Sequence, residues 1–226
     1  MREVVLDTET TGLNSQGGDR LVEIGCVELD NHIRTGRIYH QYINPEREMP
    51  PEAYAVHGLS AAFLATHPVF KKVALEFLDF IGKSNLVIHN ATFDLGFINS
   101  ELMRIKLDPL DKVRATDTVQ IARTNFPGAQ VSLDALCRRF GISLSARDNH
   151  GALLDAELLA DVYLELIGGR QPDLKLPGTD NEGHHVNTMI KTPTLRPPRK
   201  HSINKIERSA HKSFIDQIPN PIWRDD

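Results

Sequence analysis

Glu3-Val4-Val5-Leu6-Asp7-Thr8-Glu9-Thr10-Thr11-Gly12 decides the reading of this chain. Glu3–Leu6 is a short strand-like run, and it ends in a turn rich in carboxylates. Residues two apart on a strand point to the same face, so Asp7 and Glu9 converge. They fall at the end of a first strand, where ligands bind in α/β sheets. Two acids on one spot repel each other unless a cation lies between them, and hard oxygen ligands suit Mg²⁺ or Mn²⁺. Taken alone, such a pair is usually just a solvated strand end.

Working outward, residues 1–169 read as one packed α/β domain. Leu21–Leu29 and Arg37–Ile43 are two further strands, and their short connections predict a meander of antiparallel neighbours. Helical spacing follows from Pro68 to Ile81 through Val69, Val73, Phe77, Phe80 and Ile81. Leu86–Ile88 is a buried strand, Leu95–Ile105 a helix and Val113–Thr116 a strand, leading to a helix over Val119–Phe126. Ser132 is a good N-cap for a helix over Leu133–Phe140, and Gly141 a good stop. Ala152–Ile167 is the last strong helix before Gly168-Gly169. Beyond it, residues 170–226 hold seven of the thirteen prolines and no long amphipathic pattern, which predicts a flexible tail with short sticky segments.

Composition bounds the function. Of 226 residues, 40% are apolar and 25% charged, so a sizeable core is expected and global disorder is not. No apolar run is long enough to span a bilayer, and the N-terminus lacks a signal-peptide layout, so no membrane partner and a cytoplasmic location are expected. Cys26 and Cys137 each sit among apolar neighbours, as reduced core thiols do. Residues 170–226 carry ten Lys and Arg against seven Asp and Glu, a balance of +3. With −4 on the whole chain, residues 1–169 carry −7, so a basic groove is not what would draw a polyanion here.

Two more clusters join Asp7 and Glu9. Leu86-Val87-Ile88-His89-Asn90-Ala91-Thr92-Phe93-Asp94 delivers a buried strand to a helix start, with Asp94 in the first turn. An acid there also serves simply as a partner for the helix dipole. His150-Gly151-Ala152-Leu153-Leu154-Asp155 places Asp155 one turn into the last helix and His150 on the polar loop before it. Each is ordinary alone. Together they are a carboxylate pair after the first strand, an acid opening a middle helix, and His-x₄-Asp opening the last.

That order resembles the DnaQ-like DEDDh exonucleases over nearly all of residues 1–169, including Val56-His57-Gly58. The resemblance implies an α/β, ribonuclease-H-like fold with a central mixed β-sheet flanked by helices. It implies a 3′→5′ exonuclease working with two divalent metal ions, Mg²⁺ or Mn²⁺. It assigns Asp7, Glu9, Asp94 and Asp155 to the metals and His150 to the general base. It assigns Thr10, Gly12, Leu13, Glu52, His57 and Asn90 to the substrate, beside Asp7, Glu9 and Asp155. Thr11 belongs to the segment packing on the terminal nucleotide, and Asp117 matches a family word that a helix N-cap would also explain. A glycine at position 12 would let the backbone approach the base, or serve a plain turn.

Within the family, Ser132-Leu133-Asp134-Ala135-Leu136-Cys137 and the Gly168-Gly169 end are most similar to the proofreading subunits of bacterial replicative polymerases. The tail then gains two expected docking segments. Gln171-Pro172-Asp173-Leu174-Lys175-Leu176 resembles a sliding-clamp-binding peptide. The stretch from about 205 to 226, with Phe214-Ile215 and Ile218–Arg224 around the single Trp223, resembles the segment that docks on the polymerase alpha subunit. The expected substrate is a single-stranded or frayed DNA 3′ end. Two other readings stand beside this one: a free-standing exonuclease acting on RNA or repair intermediates, and a non-catalytic adaptor between clamp and polymerase. The presence of all four acids and the histidine speaks against the adaptor.

Overall fold

The computed structural model describes residues 1–145, 150–169 and 204–219. Its contacts divide the chain into two compact units, Met1–Lys175 and Leu176–Asp226. The first unit is built on five strands: β1 (Arg2–Thr10), β2 (Leu21–Asp30), β3 (Ile33–Tyr42), β4 (Asn85–Ile88) and β5 (Ala115–Asp117). They form one mixed sheet in the order β3-β2-β1-β4-β5. The expected meander is β1 to β3, antiparallel throughout. β4 then joins β1 in parallel and β5 joins β4 in parallel.

Alternation along β1 separates two cores. Val4 and Leu6 enter one with α3 (Phe70–Ile81) and α4 (Ala91–Arg104). Val5 enters the other with α5 (Thr118–Asn125), α6 (Leu133–Phe140) and α7 (Ala152–Leu166). Val4, Val5 and Leu6 are fully buried, at about 1.5–3 kcal/mol each relative to exposure. A one-residue slip would exchange the two sets. The same slip would turn Asp7 and Glu9 to the wrong face, so hydrophobic register also aims the acids. Cys26 and Cys137 are buried, one in each core, as expected.

Three features depart from the sequence reading. Two short helices, α1 (Pro51–His57) and α2 (Ala61–Leu64), precede α3 and were not expected. α1 is mostly exposed and so shows no apolar stripe, but Pro51 opens it and a left-handed Gly58 closes it. Val113 lies in a 3₁₀ turn (Lys112–Arg114), not in a strand, because the Asp111 side chain accepts from its amide and closes the turn. α4 begins at Ala91, one turn before Leu95, since a left-handed Asn90 starts it directly after β4.

The second unit contains α8 (Lys205–Ile215), a short helix that the sequence reading did not name. Asn204 and Glu207 form a reciprocal capping box: each side chain accepts from the other's amide, at 2.8 and 3.3 Å. Ile206, Ala210 and Phe214, four apart, give a stripe too narrow to stand out among prolines. Gln171–Leu176 and Trp223 lie outside the described residues. Among the described residues no helix is long and apolar enough to cross a membrane.

Candidate active site

β1 brings Asp7 and Glu9 to one face, opposite Gly25 and Glu23 of β2. Gly25 explains how a helix reaches them. A Cβ there would lie 2.3 Å from the carbonyl carbon and oxygen of Ala152 and from the amide nitrogen of Leu153. The first turn of α7 therefore rests directly on β2 backbone. That seats Asp155, 3% exposed, on the row of Asp7 and Gly25. Side-chain ligand atoms of Glu9, His150 and Asp155 all lie within 4.8 Å of one another.

Asp94 arrives from the other side of the sheet. It sits in the first turn of α4, and Thr8, which points away from its neighbours Asp7 and Glu9, donates from Oγ1 to Asp94 Oδ1 at 2.7 Å. Both residues are buried. Asn90 holds φ 71°, a conformation asparagine tolerates. Asp117 fixes it there: one Asp117 oxygen accepts from the amides of Asn90 at 3.1 Å and Val119 at 2.9 Å. Asp117 is thus the N-cap of α5 and also a brace for the β4–α4 junction.

The acids crowd. Burial pushes Asp7 well above the usual carboxylate range, and the charges of Asp94, Glu9, Asp155 and Glu23 add to it in that order. Burial raises Asp94 to about 7, against the opposing hydrogen bond from Thr8. Oxygen donors with one imidazole, held close and destabilised as anions by burial and mutual repulsion, fit a hard divalent cation.

His150 is tied at both ends. Its amide donates to the carbonyl of Val56 in α1 at 3.2 Å, and its Nδ1 lies 3.2 Å from Asp155 Oδ2. His57, in the last turn of α1, is buried, and its Nδ1 accepts from the Leu59 amide at 3.0 Å. Burial lowers its pKa, opposed by the charge of Glu23. With Nδ1 accepting, the proton of the neutral ring sits on Nε2.

The remaining expected residues separate into two groups. Thr10 and Thr11 are buried in the segment after β1, with Thr10 Oγ1 donating to the Gly12 carbonyl at 2.6 Å. Leu13 is 86% exposed beyond them. At Gly12 a Cβ would meet the Asp19 carboxylate at 2.4 Å, so the loop itself accounts for that glycine. Glu52 does not accompany His57: it is exposed in the first turn of α1, and five residues turn a helix through about 140°. Sequence reasoning missed Thr8, Glu23 and Gly25. Glu23 carried one signal, as one of two acids inside the mainly apolar run LVEIGCVEL.

An α/β sheet gathering these acids on a strand end and two helix starts is the frame of a nuclease. The family described as Exonuclease matches residues 4–163, and the chain belongs to it. Divalent metals are general in that family. Almost end to end, the chain is similar to proteins named DNA polymerase III subunit epsilon. Identity with that of Rickettsia typhi is 47% over 227 residues, covering 96% of this chain and 97% of that one. With that of Salmonella typhimurium it is 49% over 236 residues, covering 99% and 97%. With that of Escherichia coli K12 it is 48% over 176 residues, covering 75% and 72%. Among solved structures, Exonuclease X in complex with 5′ overhanging duplex DNA shares the fold at TM-score 0.59 and 24% identity, covering 73% of this chain and 90% of that one. The nuclease domain of 3′hExo, a DEDDh family member bound to rAMP, does so at TM-score 0.64 and 17% identity, covering 74% and 91%.

Proposed function

We propose that this chain is the 3′→5′ proofreading exonuclease of a bacterial replicative DNA polymerase, removing nucleotides from single-stranded or frayed DNA 3′ ends. The observation that supports the reading is the closeness of Glu9, His150 and Asp155, whose ligand atoms lie within 4.8 Å of one another, beside an Asp7 carboxylate that feels the charges of Asp94, Glu9 and Asp155. Asp7, Glu9, Asp94 and Asp155 would hold two divalent ions, Mg²⁺ or Mn²⁺. When bound, these supply positive charge to the oxygens that gain negative charge during phosphodiester cleavage. His150, whose Nδ1 lies 3.2 Å from Asp155 Oδ2 beside these acids, is the general base that takes the proton of the attacking water.

The terminal nucleotide lies against Thr10, Gly12 and Leu13, with the exposed Leu13 side chain as an apolar contact for its base. His57 offers the Nε2 proton to this nucleotide, and Asn90 closes the far end. In the tail, α8 and the residues after it dock on the polymerase alpha subunit, with Ile206 and Phe214, 81% and 61% exposed, as anchors. Gln171–Leu176 is the clamp peptide.

The test is digestion of end-labelled DNA and RNA strands with Mg²⁺, Mn²⁺ or EDTA, using the wild type and the variants Asp7→Ala and Asp155→Ala. Metal-dependent release of mononucleotides from DNA 3′ ends, lost in both variants while each retains its circular dichroism spectrum, is the expected result. Undiminished activity in either variant rejects the site. Trimming of RNA alone moves the chain to the RNA-processing branch.

A further inference from the structure

The row of paired residues that begins at the acids does not stop there. Glu9 pairs with Glu23, and Glu23 pairs with Tyr42 on the edge strand β3. Paired residues of adjacent strands face the same side of a sheet, and strands lie about 4.8 Å apart, so the backbone of Tyr42 stands about 10 Å from that of Glu9. The carboxylate between them is buried and engaged, with Glu23 Oε1 2.7 Å from His40 Nε2. Around Tyr42 the rings gather. Its centroid lies 5.1 Å from Phe63 and 5.3 Å from His67, and these two lie 4.6 Å from each other. Phe63, lifted on α2, is 42% exposed.

We propose that Tyr42, Phe63 and His67 form a stacking subsite for an unpaired base, one or two nucleotides upstream of the 3′ end that the acids cut. The subsite rests on the exonuclease reading of those acids. Its distance from Glu9 matches the span of one to two nucleotides, and it lies on the same face of the sheet. Its chemistry answers a need set by charge. Residues 1–169 carry −7, so the domain cannot grip a strand mainly through its phosphates. Stacking on a ring needs no positive charge and accepts any base, as removal of mismatched ends requires. A strand held this way reaches the acids only when its last bases are unpaired, because a base inside a duplex has no free face to offer.

The experiment compares two substrates on the full chain. The p-nitrophenyl ester of thymidine 5′-monophosphate fills only the terminal position, whereas a thymidine tetranucleotide also reaches the rings. Loss of one base–aromatic stack lowers binding roughly tenfold or more. Phe63→Ala is therefore expected to lower kcat/KM on the tetranucleotide, relative to that on the ester, by about tenfold, mainly through KM. Phe63→Trp is expected to restore the ratio. An unchanged ratio in Phe63→Ala overturns the subsite. So does an unchanged ratio with a shifted elution volume, which would make the rings a contact between copies of this chain. A wild type inactive on both substrates with Mg²⁺ and Mn²⁺ overturns the exonuclease reading itself, and the subsite with it.

Discussion

Thr8 stands between the two carboxylates of β1 and points the opposite way, to Asp94. Its hydroxyl supplies a donor to a buried acid whose pKa burial has raised to about 7. Thr8→Val keeps the shape and removes that donor. A hydrogen bond to a charged group is worth about 1.5–3 kcal/mol, so Asp94 should become harder to ionise by about one pH unit or more. The sign follows: a raised acid pKa leaves less carboxylate at a given pH. The acid limb of the rate–pH profile should move to higher pH, and the Mn²⁺ affinity measured by titration calorimetry should fall. Thr8→Ser should restore both, and a Thr8→Val profile that overlays the wild type would dismiss the role. Asp7, Glu9, Asp94, His150 and Asp155 could be placed on their elements because each adjoins an apolar run, while their roles came from the resemblance. Thr8 was not, because its meaning is a partner 86 residues away. Gly25 was equally silent, and Glu23 nearly so, since only cross-strand register sets them beside Asp7 and Glu9.

At the scale of elements, the contact between α7 and β2 sets how far the helix-borne acid stands from the strand-borne pair. In Gly25→Ala the new methyl meets backbone atoms of α7, which cannot rotate aside, so the helix must lift. Overpacking of this kind costs about 1–3 kcal/mol, a fall of roughly 2–10 °C in Tm for a chain of this size. A displacement near 1 Å at a reacting site costs on the order of a hundredfold in rate. Melting in EDTA together with kcat on a labelled strand checks both, and full activity in the variant would show that α7 position is not critical. Strands and long helices were readable from periodicity because each buries a face against the cores. α1, α2 and α8 were not. They are short or mostly exposed, and only their caps, Gly58, Ser60 and the Asn204–Glu207 pair, mark them.

Across the whole molecule, charge is divided: −7 over residues 1–169 and +3 over 170–226. A catalytic domain that repels its polyanionic substrate gains from being delivered to it. Removing residues 170–226 should spare hydrolysis of short single strands and abolish co-elution with the polymerase alpha subunit. Gel filtration of the mixture decides it, and retained co-elution would place the dock elsewhere. A sizeable core was legible from composition, but this division of labour rests on segments whose apolar residues are too few to predict a shape. The seating of α7 on Gly25 has one more consequence, which concerns time. The first acids are made at residues 7 and 9 and the last at 155, and they meet only when the final helix of the domain has closed over the strand. A nascent chain on the ribosome therefore emerges with its cutting centre unassembled. Synthesis and folding together act as a safety catch, released only when the domain is whole.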